Sequence, residues 1–360
     1  MNASPERVRQ ARRFMVCVLS FALSTVMRHD ALHAGDTLSS RLQAVINATD
    51  YKHAHWGLCV VDHMTGEVVY EHNADKLFAP ASTTKLYSVA TALDALGPDF
   101  RFETPIYRRG EIESGVLKGD LVLVASGDLT LGGRTDEQGR IAFKDNDHTY
   151  ANGNNKGELT APDPLAGLKD LARQVAAAGI ERVRGDVLVD DRLFDKAAST
   201  GSGPAQITPI LVNDNLIDVL ITPGETGAPA KVTWRPETVA CRVDAQVETV
   251  AKEEEPSINL RTSSGNRIVV RGRIPAGRQP ILRVVEVDSP AAFARALLIE
   301  ALHAAGVVVA ASPLDDPAAD QLPPRDTHSS LSRVATLKSP PFSENVALIL
   351  KVSHNLHAST

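Results

Sequence analysis

At 360 residues, with 43% hydrophobic and 23% charged residues, the chain is long enough to bury a large core and to hold more than one domain. A net charge of −6 gives no electrostatic basis for nucleic-acid binding, and 4% aromatic residues leave little for base- or sugar-stacking platforms. No internal segment approaches the ~20 apolar residues needed to span a bilayer.

The N-terminus stands apart. Arg7, Arg9, Arg12 and Arg13 precede an apolar run over 14–27, and Ala34 precedes Gly35. A basic start, an apolar middle and a small residue at a cleavage point describe a secretory signal peptide over 1–34. A buried N-terminal helix or a short membrane anchor would carry the same pattern. Arg12-Arg13 hints at a twin-arginine signal, and Cys17 lacks a lipobox. The other two cysteines, Cys59 and Cys241, read as small buried apolar residues. An oxidising compartment would also permit a disulfide.

Next, 56–62 and 66–70 form two β-branched runs around Met64, Thr65 and Gly66, the pattern of a hairpin. A helix is expected over 82–96, stopped by Gly97 and Pro98. A β-rich stretch follows, including 120–126. The polar segment 132–161 reads as a long surface loop. Two helix-glycine-strand units come later, 165–178 with Gly179 and strand 185–190, and 291–305 with Gly306 and strand 307–310. They are expected to pack on one sheet. Between them, 205–280 reads as all-β, with strands at 217–221, 231–234, 240–244 and 267–271. The acidic tip 252–256 reads as solvated. Segment 313–330 reads as a linker. A final helix over 342–352 follows, with Ser339 as its cap and Pro340 early.

Two short motifs carry chemistry. Ser82 and Lys85 make an S-x-x-K pattern, and Ser353 and Asn355 an S-x-N pattern. A serine hydroxyl is a weak nucleophile and needs a base within hydrogen-bond reach. Lys85 shares a helix face with Ser82, and a desolvated lysine sheds its proton more readily. A helix N-terminus favours the negative charge that develops there. Ser353 is placed to relay a proton, and Asn355 to offer an amide to substrate. Each pattern alone is common, since a serine capping a helix near a lysine is ordinary. His354 and His357, like His53 and His55, lack a third ligand nearby in sequence, so no metal is expected.

The arrangement resembles the penicillin-binding proteins of the D-alanyl-D-alanine carboxypeptidase/endopeptidase type, peptidase family S13. The matching segments are 80–86, 121–128, 185–194, 209–215 and 339–344, together with the 271-residue separation of the two serines, 82 to 353. The resemblance implies an α/β (α+β) fold with a split serine β-lactamase/transpeptidase-like domain over 35–105 and 332–360. It implies an inserted α/β domain over 106–204 and 281–331 and a nested β-rich domain over 205–280. It also implies that Ser82 is acylated, Lys85 activates it, and Ser353 and Asn355 form the second motif. Asp190 would reach the substrate side chain.

The implied partners are peptidoglycan stem peptides and β-lactam antibiotics, with no cofactor, no nucleic acid and no stable membrane span after signal cleavage. The implied site of action is periplasmic or extracellular. The third motif of such enzymes, K-T-G, does not occur in the 360 residues, so a copy truncated before K-T-G is expected. The alternative is a catalytically incomplete remnant that binds cell wall or a partner. A β-lactamase or esterase on the same catalytic fold is a third option, opposed by the long insert.

Overall fold

The computed structural model describes residues 37–199, 201–263 and 267–360. The expected signal peptide, with Arg12, Arg13 and Cys17, lies outside them. The chain divides into two compact units between Thr84 and Lys85.

In the first unit, helix α1 (Leu38–Ile46) is capped by Thr37, whose hydroxyl accepts from the Ser40 amide at 3.2 Å. Strands β1 (Leu58–Val61) and β2 (Val68–His72) form the expected antiparallel hairpin, with Leu58 opposite His72. Its turn is tied by the Asp62 carboxylate, which accepts from the Met64 and Thr65 amides at 2.8 and 3.0 Å. Gly66 supplies the positive φ of 78° that this turn needs. Exposure alternates along β1, which puts Cys59 on the open side. The expectation of a buried Cys59 is therefore wrong. A 3₁₀ turn, Ala81–Thr83, carries Ser82, and Ala81 before it is held at φ 44°.

Helix α2 (Thr84–Leu96) begins at the boundary and stops at Gly97, where φ is 87° and the amide donates to Leu93 O at 3.0 Å. In the second unit, strands β3 (Glu103–Glu113) and β4 (Val116–Val124) pair antiparallel at the centre of a six-stranded sheet. Strands β5 (Arg182–Val183) and β6 (Val187–Asp190) follow one another along the same edge of β4, both parallel to it. The sheet order is completed by β15 (Val308–Val309) beside β5 and β16 (Ser332–Lys338) beside β3. Helix α3 (Ala166–Ala177) packs on β16, and α4 (Pro290–Ala304) packs on β6, β15 and α3. The two helix-glycine-strand units thus do share one sheet.

The remaining strands include a short pair, β7 (Ala197–Ala198) with β8 (Gln206–Ile207). The strands β9 (Leu216–Thr222), β10 (Lys231–Arg235) and β14 (Ile281–Glu286) make one three-stranded sheet in the order β10-β9-β14. The strands β11 (Arg242–Val250), β12 (Ser257–Ser263) and β13 (Arg267–Pro275) make another in the order β11-β13-β12. One large apolar core joins these sheets to α3 and α4 through residues such as Leu121, Leu171, Val219, Val270 and Leu298.

Two further expectations fail. Ser339 does not cap the last long helix, α5 (Phe342–Val352); it is buried, and its hydroxyl accepts from the Phe102 amide at 2.9 Å and donates to Pro340 O. The segment 132–161 is not a surface loop. Arg134, Ile141, Asp147, His148, Thr149 and Ala151 are all buried, and the exposed stretches 137–140, 144–145 and 152–156 lie between and beyond them. Its buried polar side chains are satisfied by one another and by Asp214 and Asp218, which is why composition misreads it.

Candidate active site

Lys85 and Val89 lie four residues apart on α2 and are its two buried side chains. Val89 belongs to a separate apolar cluster with Leu129, Leu211, Phe342, Val346, Ile349 and Leu356. Those last four come from α5 and from the short helix α6 (Asn355–Ser359). Burial of this cluster therefore brings the Lys85 face of α2 against the turn between α5 and α6, where Ser353 and Asn355 sit. The Lys85 ammonium donates to Ser353 Oγ at 3.4 Å and to Asn355 Oδ1. These contacts span 268 and 270 residues of sequence. Burial pushes the Lys85 pKa below its ordinary value.

Ser353 ends α5 in a left-handed conformation, φ 59° and ψ 40°. A non-glycine residue held there costs about 1–2 kcal/mol. The turn is closed by His354 N donating to Ile349 O at 3.0 Å, and by the Tyr150 hydroxyl donating to Ser353 O at 2.7 Å. His354 then caps α6, its Nδ1 accepting from the His357 amide at 3.3 Å. Nε2 therefore carries the His354 proton, directed at Asp147 Oδ1 and the Thr149 hydroxyl, each 3.4 Å away. Burial, with His357 beside it, lowers the His354 pKa to about 4, so the ring is neutral.

Behind this turn lies a sealed charge cluster. Arg134 bridges Asp147 and Asp214 at 2.6 and 2.7 Å. His148 bridges Asp218 and Asp214 at 2.6 and 2.8 Å, and Arg235 reaches Asp218 at 2.9 Å. His357 Nε2 donates to the other Asp214 oxygen at 2.6 Å. Burial alone would lower the His148 pKa, but Asp218 and Asp214 outweigh it and push it up to about 10. Burial likewise opposes ionisation of Asp147 and Asp214, and Arg134 outweighs it, holding both carboxyls below the usual range. Three carboxylates thus face three cations, Arg134, Arg235 and protonated His148. Asp214 is aimed into the cluster by an unusual backbone: Asn213, Asp214 and Asn215 all have φ between 51° and 55°. Asn and Asp tolerate that region better than other residues with a Cβ.

Asp214, His354 and His357 bring ligand atoms within 4.8 Å of one another, so the third group lacking in the local sequence exists in space. The donor set does not suit a cation. Asp214 already accepts from Arg134, His148 and His357, and the direct His357–Asp214 bond occupies the gap an ion would fill. A further double charge in this buried cluster would meet a large desolvation cost.

The structure thus brings Lys85, Ser353 and Asn355 together. Ser82 sits in the first unit, in the turn that leads into α2. Asp190, expected to reach substrate, ends β6 with 3% exposure, and its carboxylate accepts from the Arg192 guanidinium at 2.7 Å, with the His328 ring beside it. Those are the contacts of a structural ion pair. Cys241 is a free thiol whose pKa is pushed up to about 11 by burial, which disfavours the thiolate. It lines a cavity of about 180 Å³ with Ile217, Phe293 and Leu314, none of which belongs to the Lys85 group. Sequence reading missed Arg134, Asp147, His148, Tyr150, Asp214 and Asp218. The Asn-Asp-Asn run at 213–215 was the available signal, since three such residues in a row tolerate a left-handed turn.

The family model for D-Ala-D-Ala carboxypeptidase 3 (S13) matches residues 38–360. A D-alanyl-D-alanine carboxypeptidase from Actinomadura sp. (strain R39) is 30% identical over 294 residues, 76% of this chain and 48% of that protein. The D-alanyl-D-alanine carboxypeptidase DacB of Haemophilus influenzae is 22% identical over 259 residues, 67% of this chain and 46% of that protein. The crystal structure of penicillin binding protein 4 from Haemophilus influenzae superposes with a TM-score of 0.58 at 19% identity, covering 84% of this chain and 61% of that one. Its complex with a β-lactam gives 0.56 at 20%, covering 84% and 58%. The chain therefore has this mixed α/β fold, and it spans about half the length of the curated relatives it matches. Among the described residues no helix is long and apolar enough to cross a membrane.

Proposed function

Because the chain belongs to the D-Ala-D-Ala carboxypeptidase 3 (S13) family, we propose that it forms part of an exported serine hydrolase that cleaves D-Ala-D-Ala ends or cross-links of peptidoglycan stem peptides. The observation that carries this reading is Lys85 held against both Ser353 and Asn355 from opposite ends of the sequence. Ser82 Oγ attacks the carbonyl of the scissile amide, and its proton passes to Lys85, which burial makes a better proton acceptor. Collapse of the tetrahedral intermediate breaks the C–N bond. The departing amine takes a proton by way of Ser353, and water then releases the acyl group from Ser82. Asn355 orients Lys85 through its amide oxygen and leaves its NH₂ to meet the substrate backbone. A β-lactam carbonyl would acylate the same serine with its amine still tethered. Export and action at the cell wall fit the basic-apolar pattern over 1–34.

The test is labelling by a fluorescent penicillin, with Ser82→Ala as control and peptide mapping of the adduct. A covalent label on the peptide holding Ser82, lost in the variant, is the expected result. A folded protein that takes no label would overturn the acyl-enzyme reading.

A further inference from the structure

The groups that would do chemistry lie on α2 and in the α5–α6 turn, but the groups that hold this turn come from 134–218. We propose that His357 and Tyr150 are positioning residues for acylation: they moor the turn bearing Ser353 and Asn355 to Asp214 and to the 148–150 segment, and so set both side chains against Lys85. The inference rests on the acyl-enzyme reading above.

Three observations converge on it. First, Ser353 occupies a backbone region that a serine leaves unless held, and the Tyr150 hydroxyl binds the carbonyl of that same residue at 2.7 Å. Second, α6 carries Asn355 at its first position and is anchored through the two side chains that follow. Those anchors are Leu356 in the apolar cluster and His357 on Asp214. Third, Asp214 is itself immobilised by Arg134, by His148 and by the left-handed run at 213–215. A chain of short, buried contacts therefore runs from Arg134 through Asp214 and His357 to the turn, and from the turn to Lys85. His354, between the two motif residues, packs its neutral ring on His357 with centroids 4.1 Å apart, which locks the turn from within.

The experiment compares His357→Phe, which keeps ring bulk but removes the N–H to Asp214, with His357→Gln, whose amide can restore that donor. Stopped-flow acylation by a fluorescent penicillin separates the limiting rate from half-saturation. Misplacement on the scale of 1 Å costs up to ~100-fold, so the Phe variant should lose ~10-fold or more in limiting rate, with half-saturation within ~3-fold, and the Gln variant should recover to within ~3-fold. Wild-type rates in the Phe variant, or equal losses in both, would overturn the proposal. If the Phe variant does not fold, Tyr150→Phe decides: a drop of ~3- to 10-fold supports the mooring, and an unchanged rate defeats it. If the wild-type protein is not acylated, the reading beneath this one fails separately. Hydrogen exchange of the peptide over 350–360 then judges the mooring, which predicts faster exchange in His357→Phe and Tyr150→Phe but not in His357→Gln; uniform exchange would sink it.

Discussion

Lys85 and Arg134 are both buried cations, at 7% and 5% exposure, and burial has opposite consequences for them. Lys85 donates to a serine hydroxyl and an amide oxygen, and desolvation lowers its pKa. Arg134 sits between two carboxylates, which outweigh desolvation and raise its pKa. The difference lies in the partners. Neutral acceptors leave a lysine able to exchange protons, whereas carboxylates turn a cation into a fixed structural charge.

The largest expected effect comes from removing the fixed charge. Arg134→Met leaves Asp147 and Asp214 buried without their counter-ion and should cost about 3–5 kcal/mol in urea unfolding. An unchanged midpoint would mean that the cluster is not a stabilising unit. Next, Lys85→Met should leave folding intact and slow penicillin acylation by roughly 10²–10⁴-fold, the range for loss of a positioned base. A rate near wild type would remove Lys85 from the mechanism. Asn355→Asp converts the first setting toward the second by giving Lys85 a carboxylate. Its pKa should rise, and acylation near neutral pH should fall about 10-fold and recover as pH increases, since one pKa unit is a factor of ten. A pH profile that does not move would break the comparison.

Stability against pH tests the same two settings. The His354 pKa is lowered to about 4, so between pH 6.5 and 4 the unfolded chain takes up this proton more readily and stability falls as pH drops. The His148 pKa is raised to about 10, so from pH 6.5 to 10 the folded chain keeps a proton the unfolded chain has lost, and stability falls as pH rises. Urea midpoints should therefore peak near pH 6.5, and His148→Gln should flatten the alkaline side. The depressed Asp147, Asp214 and Asp218 carboxyls add to the acid loss below their ordinary pKa of 3.8.

Local chemistry made much of the fold legible. Asp62 and Gly66 mark the hairpin turn, Gly97 ends α2, and Gly179 and Gly306 end the helices before β5 and β15. The S-x-x-K and S-x-N spacings pointed to three residues that the structure groups. Strand β12 was missed because its side chains are mostly exposed and polar, and β16 because it directly follows a Pro- and Asp-rich stretch. The buried cluster was missed for a deeper reason. Arg134, Asp147 and His148 read as hydrophilic one at a time; Asp147 is paired with Arg134, and only the pairing of Arg134 and His148 with Asp214 and Asp218, more than 60 residues on, lets the group be inside. Pairing across such distances leaves no periodic trace.

The bond between His357 and Asp214 spans 143 residues, and the contact between His354 and Thr149 spans 205. During synthesis, then, the segment bearing Asp147 and Asp214 leaves the ribosome long before the two imidazoles that complete its cluster. Closing such loops is slow and comes late in folding. Alignment of Ser353 with Lys85 would therefore wait on both closures, and on the burial of charges far away in sequence.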